Sequence, residues 1–357
     1  METRVLKVDP INPDKEVISE AVEVLREGGL VAFPTETVYG LGADSFNKSA
    51  VKKIYSVKGR PPDNPLILHI SDFKELEVVA KDVPSFVYEL ANKVWPGPVT
   101  FVLKKSDLVL HEVTAGLPTV AVRCPAHPVA LALIKGLGNP IAAPSANLSG
   151  RPSPTTADHV IKDLSGKIEM ILEGGDTFFG VESTIINLTT DPPVLLRPGP
   201  VGVEELEKLT NLKILIPAFA KGTEEAGIAL SPGTKYRHYS PQTTLVLVEA
   251  GQCLTLAAYL KYVKSLINEY LQKRLKVAII CSKETCSDYG DLITLEIGSR
   301  NNLYEVAKNL FKKLRELDEL RVDVAISESF KEHGIGLAIM NRLRKASSKV
   351  VACVPTR

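Results

Sequence analysis

The sequence predicts a two-domain α/β protein, with a mixed sheet in the first domain and a smaller parallel sheet in the second. Three observations predict it. Short apolar runs alternate with amphipathic helical segments along nearly all of the 357 residues. The alternation breaks once, over residues 211–242, where glycine and proline crowd together. A second alternation then runs to the end of the chain.

The first helical pattern covers residues 13–27, where Val17, Ile18, Ala21, Val22 and Leu25 recur at helical spacing. Pro13 suits a first turn, and Gly28-Gly29 ends the helix. Leu30-Val31-Ala32-Phe33 reads as a buried strand stopped by Pro34, with Gly40 and Gly42 expected to close the following turn. Residues 48–57 carry Ala50, Val51, Ile54 and Tyr55 on one helical face. Leu66–Ile70 is strand-like, 84–94 helical, and Val99–Leu103 a strand. Thr119–Arg123 and Pro140–Ala143 are short strands around a helix near 127–135, with another helix near 156–163. Glu169–Leu172 adds a strand, and Ser183–Leu188 pairs with Val194–Arg197 across Asp191-Pro192-Pro193. Such connections predict a partly antiparallel sheet.

Beyond the break, strands at 245–248, 277–281, 292–297, 322–326 and 350–354 alternate with helices at 254–274, 302–317 and 335–346. That order predicts a parallel α/β domain. Gly334-Ile335-Gly336 lacks the third glycine of a dinucleotide fingerprint. The expected divisions are a domain at 1–210, a linker at 211–242 and a domain at 243–357. Within the linker, Tyr236-Arg237-His238-Tyr239 is too aromatic and too basic for a plain spacer.

A 45% hydrophobic and 24% charged composition is that of an ordinary globular protein. No apolar run reaches the roughly 18 residues of a membrane span, and the N-terminus lacks an apolar signal core. Five cysteines, odd in number and without CxxC spacing, argue against a disulfide framework or a structural zinc site and predict a cytoplasmic protein. The net charge of +1 hides an asymmetry. Residues 1–210 hold 21 Lys+Arg against 27 Asp+Glu, and the remainder holds 22 against 15. The basic part either meets a polyanion such as RNA or carries an ordinary surface bias.

Polar residues gather where strands are expected to end. Thr35, Glu36 and Thr37 follow the strand at 30–33, the position where open α/β sheets bind ligands. Lys58 and Arg60 close a helix whose dipole they also complement, and Pro61, Pro62 and Pro65 stiffen the loop beyond. Alternation places Thr119, Ala121 and Arg123 on one strand face, so Arg123 either grips a carboxylate bidentately or closes a salt bridge. The loop at 142–154, with Ser145, Asn147, Ser149 and Ser153, offers donors to phosphate or ribose, or simply caps and turns. Glu182, Ser183 and Thr184 lie across a hairpin from Arg197. No GxxxxGK[ST], HExxH, CxxC or GxSxG occurs. Gly175 and Gly180 have the P-loop interval, but Val181-Glu182 follows them. An anionic ligand must therefore be held by separate cations and hydroxyl-bearing loops.

The motifs PTETVYGLG, KGRPPDNPLILH, APSANLSG, ESTIINL and LLRPGP, in that order, resemble the YrdC-type domain of threonylcarbamoyl-AMP synthases. SPGTKYRHYSP is similar to that family's linker, and GIGLAIMNRLRKAS to the C-terminal extension of its two-domain members. The resemblance implies a YrdC-like twisted mixed sheet with a large open cleft, plus a Rossmann-like parallel domain. It also implies synthesis of L-threonylcarbamoyladenylate from L-threonine, bicarbonate or carbon dioxide, and ATP, with release of pyrophosphate. The product feeds threonylcarbamoyladenosine formation in tRNAs through a downstream threonylcarbamoyl-transferase complex. Thr37, His69, Arg123, Ala143 and Ser183 are implied to line the threonine pocket. Arg60, Asn64, Thr119, Ser145, Ser153 and Arg197 would hold ATP, with Lys58 and Asn147 beside it and His238 closing over the nucleotide. Lys58 and Arg60 would supply catalytic charge, with Mg²⁺ bridging the phosphates. Direct binding of tRNA or double-stranded RNA is a further expectation. The competing readings are an RNA-binding module using the same basic cleft and a carbamoyl-phosphate enzyme, but the zinc-finger-like cysteine pairs of the latter are missing here.

Overall fold

In the computed structural model, residues 1–235 and 238–354 are described. They form two compact units. One holds residues 1–149 and 153–235; the other holds 150–152 and the residues from 238 onward. Residues 211–235, expected as linker, thus belong to the first unit.

The first unit opens with strand β1 (Arg4–Lys7) and helix α1 (Lys15–Arg26), which buries Ile18, Ala21, Val22 and Leu25 as the apolar spacing requires. Strands β2 (Val31–Phe33) and β3 (Gly40–Asp44) follow, then α2 (Lys48–Lys58), capped by the Asn47 side chain on the Ala50 amide. Strand β4 (Ile67–His69) leads to α3 (Lys74–Val79), α4 (Ser85–Val94) and β5 (Val99–Lys104). Next come α5 (His111–Thr114), β6 (Thr119–Arg123), α6 (Pro128–Leu137) and β7 (Ile141–Ala143). Helix α7 (Ala157–Leu164), strands β8 (Met170–Glu173), β9 (Thr184–Asn187) and β10 (Val194–Arg197), and helices α8 (Val203–Thr210) and α9 (Ala218–Lys221) complete the unit.

The strands make one mixed sheet in the order β1-β8-β2-β3-β7-β4-β6-β5-β9-β10. β4 and β6 run parallel with His69 beside Arg123, and β4 and β7 run antiparallel with Ile67 beside Ala143. Helices α1 and α6 pack on one face around Leu25, Leu133, Ile134 and Met170. Residues beyond α8 stay with this sheet, since Leu195 and Leu215 exchange strand-like hydrogen bonds with the 193–215 backbone.

Strand β3 corrects the turn expected around Gly40 and Gly42. Both glycines lie inside a strand antiparallel to β2. A Cβ added at Gly42 would stand 2.8 Å from both Phe33 and Ile141, so the glycine makes room for the Phe33 ring.

The second unit contains β11 (Thr244–Glu249), α10 (Leu256–Gln272), β12 (Val277–Ser282) and β13 (Ile293–Gly298). It continues with α11 (Leu303–Glu319), β14 (Val324–Ser327), α12 (Ile335–Ala346) and β15 (Lys349–Ala352). All its strands pair in parallel, in the order β13-β12-β14-β11-β15. Here the expectation of no disulfide framework is overturned: Cys253 joins Cys353, and Cys281 joins Cys286. The first pair is separated by 100 residues in sequence, and only the adjacency of β11 and β15 brings it together. Cys124 remains a buried thiol. Among the described residues no helix is long and apolar enough to cross a membrane.

Candidate active site

Most of the implied site residues fall into four groups in the first unit. In the first group Arg123, at the end of β6, donates from Nη1 to Thr37 Oγ1 at 2.9 Å. Its Nη2 stands 2.6 Å from Glu36 Oε1, and both side chains are almost wholly buried. The contact is not aligned as a hydrogen bond, so both Glu36 oxygens remain without a hydrogen-bond donor. Thr37 Oγ1 also meets Thr35 Oγ1 at 2.9 Å. The backbone of Glu36 and Thr37 accepts from Phe179 and Gly180, which fixes this turn to the segment leading into Ser183.

His69 completes the group as Arg123's neighbour across the parallel pair. Burial first, and the Arg123 charge second, push its pKa down to about 3. The imidazole is therefore neutral at physiological pH, with Nδ1 3.1 Å from the Ile67 carbonyl. Burial likewise raises the Cys124 thiol to about 12, with the Glu36 charge adding to the shift. That keeps the thiol protonated and inert.

In the second group Lys58 is buried at the end of α2, and its Nζ donates to the carbonyls of Ser145 and Asn147 at 2.5 Å each. The ammonium thus organises the 144–149 loop. Gly59 ends the helix in the left-handed conformation and turns the chain toward Arg60. Arg60 donates from Nε to the Asn64 carbonyl (3.0 Å) and from Nη2 to Asn64 Oδ1 (2.8 Å) and the Pro65 carbonyl (2.7 Å). The proline-rich loop is therefore wrapped around a buried guanidinium, not around solvent.

The third group joins Ser183 to Arg197. Arg197 donates to the Ser183 carbonyl and to Ser183 Oγ, both at 3.1 Å, and its Nη1 reaches the Pro232 carbonyl at 3.4 Å. Ser183 Oγ also meets Thr100 Oγ1 at 2.7 Å. In the fourth group Ser153 donates to Glu182.

Backbone pairing ties the groups together. Tyr39 donates to the Pro154 carbonyl, Leu41 to Pro144, and Ala146 to Tyr39, so the turn carrying Thr37 lies along the loop carrying Ser145, Asn147 and Ser153. Ala143 ends β7 beside β4. Thr119 shares a strand with Arg123. It begins β6, roughly 13 Å from Arg123 by strand rise. His238 lies in the second unit, its ring 5.5 Å from that of Tyr239. Tyr236 and Arg237 of the same motif lie outside the described residues.

Sequence reasoning missed the contacts of Thr100 and Glu182 with the site serines. Thr100 gave no signal, being one threonine in an apolar strand. Glu182 stood in a motif but was passed over for the serine beside it. Glu36 is buried against Arg123.

A ten-stranded mixed sheet with cationic loops, followed by a parallel α/β unit, defines the class of two-domain YrdC-type proteins. A family model described as "Telomere recombination" matches residues 23–199, and one described as "Threonylcarbamoyl-AMP synthase, C-terminal domain" matches 201–348. The chain is 49% identical over 332 residues to the threonylcarbamoyl-AMP synthase of Pyrococcus abyssi, covering 92% of this chain and 93% of that protein. It is 45% identical over 340 residues to the synthase of Bacillus subtilis, covering 95% of each. The crystal structure of P. abyssi Sua5 complexed with L-threonine superimposes with a TM-score of 0.90 at 46% identity, covering 98% of this chain and 99% of that one. The chain belongs to the threonylcarbamoyl-AMP synthase family, in its two-domain form.

Proposed function

We propose that this chain makes L-threonylcarbamoyladenylate from L-threonine, bicarbonate or carbon dioxide, and ATP, as a nucleotidyltransferase that releases pyrophosphate. The observation that carries the reading is the buried group of Thr37, Arg123 and neutral His69, in a family whose P. abyssi member was crystallised with L-threonine. Arg123 would meet the threonine carboxylate, and Thr37 and Ser183 would read its hydroxyl. A buried hydroxyl left unpaired penalises substrates that lack the group.

The reaction needs no covalent nucleophile. The uncharged amine of threonine attacks carbon dioxide; a C–N bond forms, a proton leaves nitrogen, and a carbamate results. A carbamate oxygen then attacks the α-phosphorus of ATP, the bond from that phosphorus to the β-bridging oxygen breaks, and pyrophosphate departs with the electron pair. Carbamate and triphosphate are both anions, so the barrier is charge repulsion and alignment. Lys58, Arg60 and Arg197 supply fixed positive charge, while Asn64, Ser145, Asn147, Ser153 and Thr119 are assigned to ATP. Ala143 leaves room beside the threonine.

Mg²⁺ is proposed as the companion of ATP, offsetting phosphate charge. Among the described residues no group of three or more His, Cys, Asp or Glu is arranged to hold a metal. His238 is assigned to the nucleotide, and a cytoplasmic setting and delivery of the adenylate to a tRNA-modifying transferase complete the reading.

Incubation with ATP, bicarbonate and each amino acid in turn tests it. Pyrophosphate release and the mass of the adenylate should both require threonine. Equal release without any amino acid overturns the proposal.

A further inference from the structure

The second unit contains a cavity for which the proposed reaction has no use. It measures about 410 Å³, within the range of small-molecule sites. Its lining comes from the loops that follow β11, β13 and β14 and from the first turns of α10 and α11. The carboxyl edge of a parallel sheet is where open α/β folds bind ligands.

Arg300 is the fixed feature of this cavity. Its Nε donates to Ser282 Oγ (3.0 Å), its Nη1 to the Ser329 carbonyl (2.9 Å), and its Nη2 to Glu328 Oε2 (2.7 Å). The guanidinium carbon lies 5.1 Å from the Phe330 ring and 5.8 Å from that of Tyr259. Glu328 is itself fully buried and accepts from the Ser282 amide, Thr285 Oγ1 and the Tyr289 hydroxyl. Five groups thus settle the direction of the cation before any ligand arrives.

An arginine has five N–H donors, and three of these are engaged. One hydrogen on each terminal nitrogen remains, a two-pronged donor suited to carboxylate or phosphate. The side chain is 22% exposed and lines the cavity. Beside it lie Lys331 and the first turn of the 17-residue helix α10, whose positive end also favours an anion. Apolar side chains line the cavity as well. Leu254 is 97% exposed and Leu256 45%, and both line the cavity with Phe330.

We infer that this cavity binds a small molecule with one anionic group and an apolar body. The anion, phosphate or carboxylate, sits on Arg300 and the first turn of α10, and the body covers Leu254, Leu256 and Phe330. Such binding holds whatever reaction the first unit runs.

Calorimetric titration of the full chain with phenyl phosphate and with 3-phenylpropionate tests the site and separates the two anions. At least one should bind saturably with Kd below about 10 mM. Leu256→Glu places a like charge at the mouth on an exposed side chain, so the fold is kept; it should weaken binding about tenfold or more. Arg300→Met should abolish it, with amide NMR shifts at Leu256 and Asn301 lost in parallel. No saturable binding of either probe, or binding unchanged in a folded Leu256→Glu variant, overturns the inference.

Discussion

Glu36 and Arg123 meet at 2.6 Å in a setting that excludes water from both side chains. The two charges are therefore buried against each other. Removing one member of such a pair leaves the other buried and unpaired, which is costlier than never having had the pair.

Arg123→Ala should raise the threonine KM at least tenfold while changing kcat less, since Arg123 is assigned to binding and not to bond making. Steady-state pyrophosphate release against threonine concentration measures both. An unchanged KM removes Arg123 from the threonine site. Glu36→Ala should lower the unfolding free energy by about 3–5 kcal/mol, and the double variant Glu36→Ala with Arg123→Ala by less than the two losses added. Urea titration decides between coupling and independence.

Arg60→Ala should slow turnover roughly 100-fold, the scale for losing one electrostatic donor. Arg60 also holds the Asn64 side chain and the Pro65 carbonyl, so part of that loss belongs to the loop. Asn64→Ala removes the Oδ1 acceptor but keeps the charge, and should cost distinctly less. Equal losses in the two variants would mean that loop shape, not charge, limits the reaction.

His69 gives a pH signature. Its folded pKa of about 3 lies below the ordinary value of 6.5, so between these limits the unfolded chain binds the extra proton. Stability is full above 6.5 and falls as pH drops through that window, by up to about 2 kcal/mol at pH 5. His69→Gln should flatten this part of the profile. Urea midpoints at pH 7 and pH 5 for both proteins measure the difference, and identical slopes would refute a buried neutral imidazole.

The regular elements were legible because periodicity and turn chemistry agree in them. Thr119–Arg123 and Val194–Arg197 match the expected strands to the residue, each bounded by a proline or a proline pair. Strand β3 was hidden because its two glycines read as a turn, and only the Phe33 ring explains why a strand carries them. The site was legible as motifs, not as contacts. Arg123 and Thr37 lie 86 residues apart, and Thr100 and Ser183 lie 83 apart, distances over which local pattern carries no pairing information. The Cys253–Cys353 bond was hidden for the same reason.

Gly199 ties the hairpin to the site by close approach. A Cβ built there would lie 2.2 Å from the Thr184 nitrogen, 2.6 Å from the Ser183 carbonyl carbon and 2.7 Å from the Glu182 oxygen. All three are backbone atoms, which cannot swing aside as a side chain can. Gly199→Ala must therefore displace the start of β9, and with it the Ser183 hydroxyl that Thr100 and Arg197 hold. The expected cost is about 3 kcal/mol or more, with a matching loss of threonine-dependent pyrophosphate release. Gly138→Ala is the control, since Gly138 has a positive φ of 78° but nothing within 4 Å of its added Cβ. It should show only backbone strain, about 1–2 kcal/mol, and keep its activity. If urea titration finds Gly199→Ala no less stable than Gly138→Ala, contact with the 182–184 backbone is not what fixes Ser183.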